Sequence, residues 1–348
     1  MVKKKAPGSI AVVVVNYNTV DLVITGVESV LARKHGGRRV EVHVVDNASP
    51  DGDAATLSKA HADRGWGDRV TLWLEPENHG FGRGNNVVIT ALSARADAPD
   101  FVYLLNPDAR LDNEALDILA SHLEAHPEVG AAGAGIAMPD GTHVCAAFRF
   151  PSWQNDLIRA VNFGPISRTF ARKREPLPPE TPAGPVDWVS GAAVMFRLDA
   201  LRAVDGFDPG FFLYYEEVDL MRRMAEQGIS THYQPAAKVI HHEGAATNVQ
   251  SSARDRRRRP VYLYQSWRRY HSKWGRPGVQ SVINHITSAI GAAIAALRGK
   301  PSHLPLNYFA DHWRYVIAPV WGLRKDGDYD AASERFAGQQ VLARGAKP

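Results

Sequence analysis

The chain contains one cysteine, Cys145. No disulfide can form within it, and thiolate metal clusters and CxxC redox chemistry are excluded at the same time; such usage fits a reducing compartment. Long apolar runs are scarce. The first, Ile10 to Val15, ends at polar Asn16 and lacks the length and small-residue cleavage site of a signal peptide. The nearest thing to a membrane span, Val279 to Leu297, is uncharged but interrupted by Gln280, Ser281, Asn284, His285, Thr287 and Ser288. Its apolar residues recur at intervals of three and four, so it reads as an amphipathic helix whose stripe packs in a core or meets a membrane. There is no internal repeat. What is present, 348 residues of which 45% are apolar, suffices for one large or two medium cores and excludes a disordered chain.

Acidic and basic residues are unevenly shared. Residues 1–248 hold 24 Lys/Arg against 31 Asp/Glu, whereas 249–348 hold 17 against 6, together with four of the eight tryptophans. An acidic body with a basic tail suggests an anionic partner for the tail, either nucleic acid or a phospholipid surface, unless the cations simply form a solvated face.

The first hundred residues alternate between two periods. Residues 10–15, 40–45, 70–74 and 101–105 are continuous apolar runs rich in β-branched side chains, as strands buried on both faces should be. Helical spacing fills 21–33 and 85–95 between them, which predicts βαβ units and a parallel sheet with ligands at the carboxyl ends of the strands. Further on, the pattern predicts a helix over 114–125, strands over 130–137, 189–197 and 237–241, and a helix over 217–227. The proline-rich stretch 165–187 is expected to form a loop carrying neither ladder nor helix.

The strand ends hold the reactive residue types. Asp46, followed by Asn47 and Ser49, suits either reception of a pyrimidine N–H or ribose hydroxyls, or an Asx-turn into the next helix. The run Asn78-His79-Gly80-Phe81-Gly82-Arg83-Gly84-Asn85-Asn86 brings glycines and an arginine to a helix start, where backbone approach and the helix dipole favour a diphosphate. It is not the dinucleotide fingerprint, which would follow the first strand. Asp108 is a candidate ligand for a hard divalent cation, which needs few protein carboxylates when it bridges substrate phosphates; NPD also makes a good turn. Glu216, Glu217 and Asp219 sit beside four aromatics, where desolvation and repulsion raise a carboxylate pKa toward that of a general base, although all three also suit a first helical turn. His241 ends a strand as a possible nitrogen ligand or a core histidine.

In this order, VVVVNYN, VVDNAS, NHGFGRGNN, LLNPDA, DWVSGAAVMFR, VDGFDPGFFLYYEEVDLMRR and VIHHEG resemble glycosyltransferase family 2, and within it the rhamnosyltransferase-like branch, over about residues 10–247. The resemblance implies a GT-A fold, an α/β (Rossmann-like) mixed and mostly parallel sheet flanked by helices. Residues 1–248 would then be the catalytic domain, with a nucleotide-sugar half at 1–110 and an acceptor half at 111–248, and 249–348 a basic helical extension. It implies inverting transfer from a dTDP- or UDP-sugar, with dTDP-rhamnose as the leading donor by likeness, to a saccharide acceptor. Carried over, Asn18 and Asp46 meet base and ribose; Asn47, Asn78, Gly80, Arg83 and Asn86 lie near the nucleotide. Asn106 and Asp108 stand at the DxD motif with Asp108 on Mg²⁺ or Mn²⁺, His241 is the further metal ligand, and Glu217 is the base with Glu216 next in line. DxD here reads NPD, EDxxL reads EEVDL, and the serine of HxxGxS is Ala246, beside Thr247.

The rival readings are a non-catalytic nucleotide-sugar-binding module, a sugar-phosphate nucleotidyltransferase and a nucleic-acid-binding protein; the resemblance disfavours all three. Related enzymes use acceptors held at the inner membrane face by a polyprenyl diphosphate. The resemblance therefore implies a cytoplasmic enzyme, peripheral on that face, whose Arg254 to Arg259, Trp267, Arg268, Arg269, Tyr270, Lys273 and Trp274 meet anionic lipid, and it leaves no role for nucleic acid.

Overall fold

The apolar run that opens the chain forms β1 (Ile10–Asn16), buried along its whole length. This suits a central strand covered on both faces. The computed structural model describes residues 7–161, 168, 174–242, 258–301 and 304–324. After β1 come α1 (Val20–Leu31), β2 (Val40–Asp46), α2 (Asp53–Asp63), β3 (Val70–Leu74), α3 (Gly80–Ser93), β4 (Phe101–Leu105), β5 (Ala109–Leu111), α4 (Ala115–Ala125), β6 (Val129–Ala137), β7 (His143–Val144) and β8 (Ala147–Phe148). The chain continues with α5 (Trp153–Val161), β9 (Gly184–Val186), β10 (Trp188–Val189), β11 (Ala193–Arg197), α6 (Leu198–Ala203), α7 (Glu216–Glu226), β12 (Ser230–His241), α8 (Val261–Trp274) and α9 (Pro277–Leu297).

Among the described residues one mixed sheet runs β3-β2-β1-β4-β11-β6-β12-β5, with β7 on β6 and β9 on β12. β1 pairs in parallel with β2 and β4, and Asn16 stands directly opposite Asp46. The carboxyl ends of β1 and β2 are thus level. β11 runs antiparallel to both β4 and β6, which brings the start of β11 beside the end of β4: the Asn106 amide donates to the Ala192 carbonyl at 2.9 Å. β5 and β12 pair antiparallel, with His241 opposite Ala109.

Three expectations change, the first being the strand expected over 189–197, which divides into β10, paired with β8 in a two-stranded sheet of its own, and β11 in the large sheet. The proline-rich stretch does carry a ladder, because Gly184–Val186 pairs antiparallel with Thr231–Tyr233. It lies on a sheet edge, where the missing N–H of Pro185 leaves no central bond unmade. β12 also starts seven residues before the expected 237. Its register shifts between Gln234 and Lys238, so the bulge at Pro235 hides one long strand from a pattern reading.

The chain divides into two compact units, one of residues 1–150, 175–209 and 216–248, the other of 151–174, 210–215 and 249–348. In the second, Tyr264, Trp267, Leu304, Tyr308 and Val316 form a hydrophobic core. Trp267 and Tyr270 are therefore buried and not available as interfacial aromatics, because their face of α8 packs inward. Arg254 to Arg257, Ala246, Thr247 and most of 162–173 lie outside the described residues.

Candidate active site

The level ends of β1 and β2 fix a buried polar knot. Asn16 Nδ2 donates to Asp46 Oδ1 at 2.8 Å and to Asp53 Oδ2 at 2.9 Å, while its Oδ1 accepts from Thr19 Oγ1 at 3.0 Å. Ser49 Oγ donates to the same Asp46 oxygen at 2.7 Å and accepts the Asn18 amide at 3.0 Å. Among the described residues Asp46 Oδ2 accepts only the Ser49 amide, at 3.3 Å, and so keeps capacity for a further donor. Asn18 takes a left-handed backbone (φ 54), and its Oδ1 is enclosed without a hydrogen-bond partner among the described residues.

The glycine-rich segment is held from below. Asn47 Nδ2 donates to Asn78 Oδ1 and the Gly80 carbonyl at 3.0 and 3.1 Å, and Asn47 Oδ1 accepts the His79 amide at 3.0 Å. The Asn47 amide is thus spent on shaping the loop. Asn86 is engaged in the same way. It donates to the Phe207 carbonyl at 2.8 Å and accepts the Phe207 amide at 2.9 Å, tying α3 to the turn before α7. A β-carbon on Gly82 would stand 3.1 Å from Phe207 Cβ and 3.4 Å from Glu216 Cβ, and one on Gly84 would stand 3.0 Å from Val15 Cγ1. These two glycines serve close packing of α3 against protein. Gly80, at φ 73, is the one that needs a positive φ to start the helix. Arg83 is partly exposed, 3.1 Å from His79 Nδ1 and 3.5 Å from Glu77, on the first turn of α3.

Asp108 and His241 are 133 residues apart in sequence, yet the β5–β12 ladder places His241 Nε2 at 2.9 Å from Asp108 Oδ1. Asn106 Nδ2 lies 3.4 Å from the same ring nitrogen. One buried carboxylate oxygen and one imidazole nitrogen at this spacing match neighbouring ligands on an octahedral cation bonded at about 2.1 Å. They fit a divalent metal. Among the described residues no group of three or more His, Cys, Asp or Glu could hold one, so Asp108 and His241 would be its ligands from that set.

α7 starts with the acid pair. Glu216 is 2% exposed, whereas Glu217 is half-buried. The outer oxygen Oε2 of each is enclosed with no partner among the described residues. Burial, then the neighbouring Glu217 charge, pushes the Glu216 carboxyl well above the usual carboxylate range. Burial raises Glu217 as well. Asp219, fully buried, is instead bound to Arg223 Nε at 2.8 Å, and the same guanidinium donates to the carbonyls of Val204 and Gly206. It locks the turn and is not free for chemistry.

A family model described as glycosyltransferase like family 2 matches residues 7–262. The chain belongs to glycosyltransferase family 2. This glycosyltransferase is 31% identical over 250 residues to the N-acetylglucosaminyl-diphospho-decaprenol L-rhamnosyltransferase of Mycobacterium tuberculosis, a match covering 69% of the chain and 78% of the relative. It is 29% identical over 170 residues to rhamnosyltransferase WbbL of Escherichia coli K12, covering 47% and 61%. Its fold matches a Pyrobaculum calidifontis mannosyltransferase, PcManGT, solved with GDP-Man and Mn²⁺ (TM-score 0.53, 16% identity, 97% of this chain and 85% of that one). It also matches GalNAc-T7 solved with UDP, GalNAc and Mn²⁺ (TM-score 0.54, 13% identity, 92% and 58%). The enzyme has the GT-A fold and is rhamnosyltransferase-like.

Sequence reasoning passed over Asn16 and Asp53 in the glycosyltransferase. Asn16 closes a fully buried strand, and a polar residue there needs buried partners. The available signal was that both residues flank the Asp46 motif at the same end of the sheet.

Proposed function

We propose that the enzyme transfers a sugar, with inversion at the anomeric carbon, from a nucleoside-diphosphate sugar to a saccharide carried on a polyprenyl diphosphate. The observation that carries this reading is the convergence of Asp108 and His241 at 2.9 Å at the strand ends of a family 2 fold. The mycobacterial relative, named for rhamnosyl transfer to N-acetylglucosaminyl-diphospho-decaprenol, supports the lipid-held acceptor and a rhamnosyl donor, for which dTDP-rhamnose is the leading choice over a UDP-sugar. In the same reading the enzyme works in the cytoplasm at the inner membrane face, where such an acceptor would be held.

In this reading Asp46 Oδ2 and Asn18 Oδ1 receive the donor N–H or O–H groups of base and ribose, since both retain acceptor capacity. The first turn of α3 and Arg83 face the diphosphate. Asp108 and His241 hold Mg²⁺ or Mn²⁺, which when bound offsets the charge of the departing nucleoside diphosphate. Glu217, half-buried with Oε2 unpartnered among the described residues and its carboxyl raised by burial, takes the proton of the acceptor hydroxyl. That oxygen bonds to the anomeric carbon as the bond to the diphosphate oxygen breaks on the opposite face.

The test is a screen of the purified enzyme against dTDP-rhamnose, UDP-hexoses and GDP-mannose, with Mn²⁺, with Mg²⁺ and with EDTA, reading melting temperature and release of nucleoside diphosphate. One dTDP- or UDP-sugar is expected to stabilise and turn over only with metal, and Asp108→Asn and His241→Ala to lose that dependence together. Full turnover in EDTA removes both residues from their roles.

A further inference from the structure

Helix α9 is built inside out. In a water-facing helix the polar side points to solvent and the apolar stripe to the core. Here the buried residues are Gln280, Ser281, Thr287, Ser288 and Gly291. Gln280 Nε2 donates to Asp156 Oδ2 of α5 at 2.7 Å, Ser288 Oγ lies 3.2 Å from the Tyr308 hydroxyl, and Thr287 and Ser281 return their hydroxyls to helix carbonyls. The outward side carries Val279, Ile286, Ile290 and Leu297, which are 56%, 54%, 47% and 89% exposed. Their spacing puts them in one line along a helix about 30 Å long.

Neighbouring aromatics widen the line. The Trp321 indole lies over Gly278, where a β-carbon would meet it at 3.5 Å, next to Val279. The Phe309 ring meets His285 edge to face at 5.2 Å, next to Ile286. Trp321 and Phe309 are themselves exposed, as is Trp313. Exposed Arg276 and Arg298 flank the helix at its two ends, and Lys300, Arg314 and Arg324 are exposed in the segments that follow it. Between Pro260 and Arg324 the sequence has a single acid, Asp311, which is buried against Arg258.

We propose that this face docks on an anionic phospholipid surface, with α9 lying in the plane of the headgroups. The outward apolar line supplies the inserted side, and the cations, in a stretch whose single acid is the buried Asp311, supply attraction to anionic lipid. Spanning is disfavoured by the same geometry, because the inward polar side chains are already bonded to α5 and to Tyr308. A second copy is disfavoured by charge, since two cationic rims would meet. The lipid-held acceptor of the preceding section gives this docking its purpose, but the observations above stand without it.

The experiment uses full-length protein and vesicles of phosphatidylcholine with or without phosphatidylglycerol, read by co-sedimentation. Wild type is expected to bind the anionic vesicles, and Ile286→Glu with Ile290→Glu to weaken binding at least tenfold. Arg298→Gln and Lys300→Gln are each expected to weaken it about fivefold, the worth of one cation near such a surface. Because all four sites are exposed, the melting temperature and transfer to a short water-soluble acceptor should be unchanged. Wild type that ignores anionic vesicles overturns the proposal, as does a double variant that binds like wild type. So does binding that appears only after residues 325–348 are deleted, or a solution dimer that the double variant dissolves. Vesicle binding as expected in a protein that turns over no donor leaves the docking face standing and removes the catalytic reading alone.

Discussion

Replacing Asn16 with alanine tests the knot that holds the nucleotide end together. The side chain is fully buried and donates to two buried carboxylates, Asp46 at 2.8 Å and Asp53 at 2.9 Å. Each loses a charge-assisted bond worth about 1.5–3 kcal/mol. Asp46 retains Ser49, and Asp53 retains the Thr19 amide at 3.1 Å, so neither is wholly stripped and the lower half of the range applies. The expected loss is about 3–4 kcal/mol, a large part of the about 5–15 kcal/mol that a protein has to lose, and the melting temperature should fall by about 6–16 °C at the scaling usual for a unit of about 150–250 residues. Urea denaturation gives the free energy, and calorimetry with the preferred donor gives its affinity, which should fall with the drift of Asp46. Asp53→Asn, which keeps an oxygen to accept from Asn16, should cost less than half as much. A loss under about 1 kcal/mol for Asn16→Ala, well below a single charged hydrogen bond, would refute the reasoning.

Other substitutions separate the acids. Glu217→Gln should lower turnover at least ~100-fold, in line with general-base contributions, with donor affinity kept in a binding assay; near-normal turnover would transfer the role to Glu216. The raised Glu217 carboxyl places the acidic limb of the rate profile above the ordinary carboxylate range, so that rate climbs with pH through it, as stopped assays across pH 4–9 would show. Glu216 has the opposite consequence for stability. Its folded-state pKa lies above the unfolded one, so the fold holds its proton more tightly and loses stability as pH rises from about 4.5, the ordinary value, through the raised one. Glu216→Gln should flatten that decline in melting temperature measured between pH 4 and 8. Arg223→Ala leaves Asp219 buried without its guanidinium and should cost about 3–5 kcal/mol by urea denaturation.

The parallel half of the sheet was legible because its strands are unbroken apolar runs, and only buried strands tolerate them. The pairing of Asp108 with His241 followed from motifs at two strand ends that the β5–β12 ladder brings level. Side-chain direction was not legible. Asn16 and Asn18 look equivalent in NYN, but only Asn16 still belongs to the strand and turns into the knot. The glycines at 82 and 84 read as room for a ligand, whereas Phe207, Glu216 and Val15 fill that room, from parts of the chain no local pattern connects. In α9 the periodicity announces a stripe but is silent about which side of it the rest of the chain will cover.

The two hydrogen bonds between Asn86 and the Phe207 backbone also limit how the enzyme can be redesigned. Since α3 is fastened there to the turn that leads into the acid pair, and Gly82 lets Phe207 and Glu216 rest against it, residues 78–86 are not an exchangeable cassette. A chimera that imports a foreign glycine loop to alter donor choice has to import the 204–208 turn with it, or the graft will unseat Glu217 while leaving every residue of the acid pair in place.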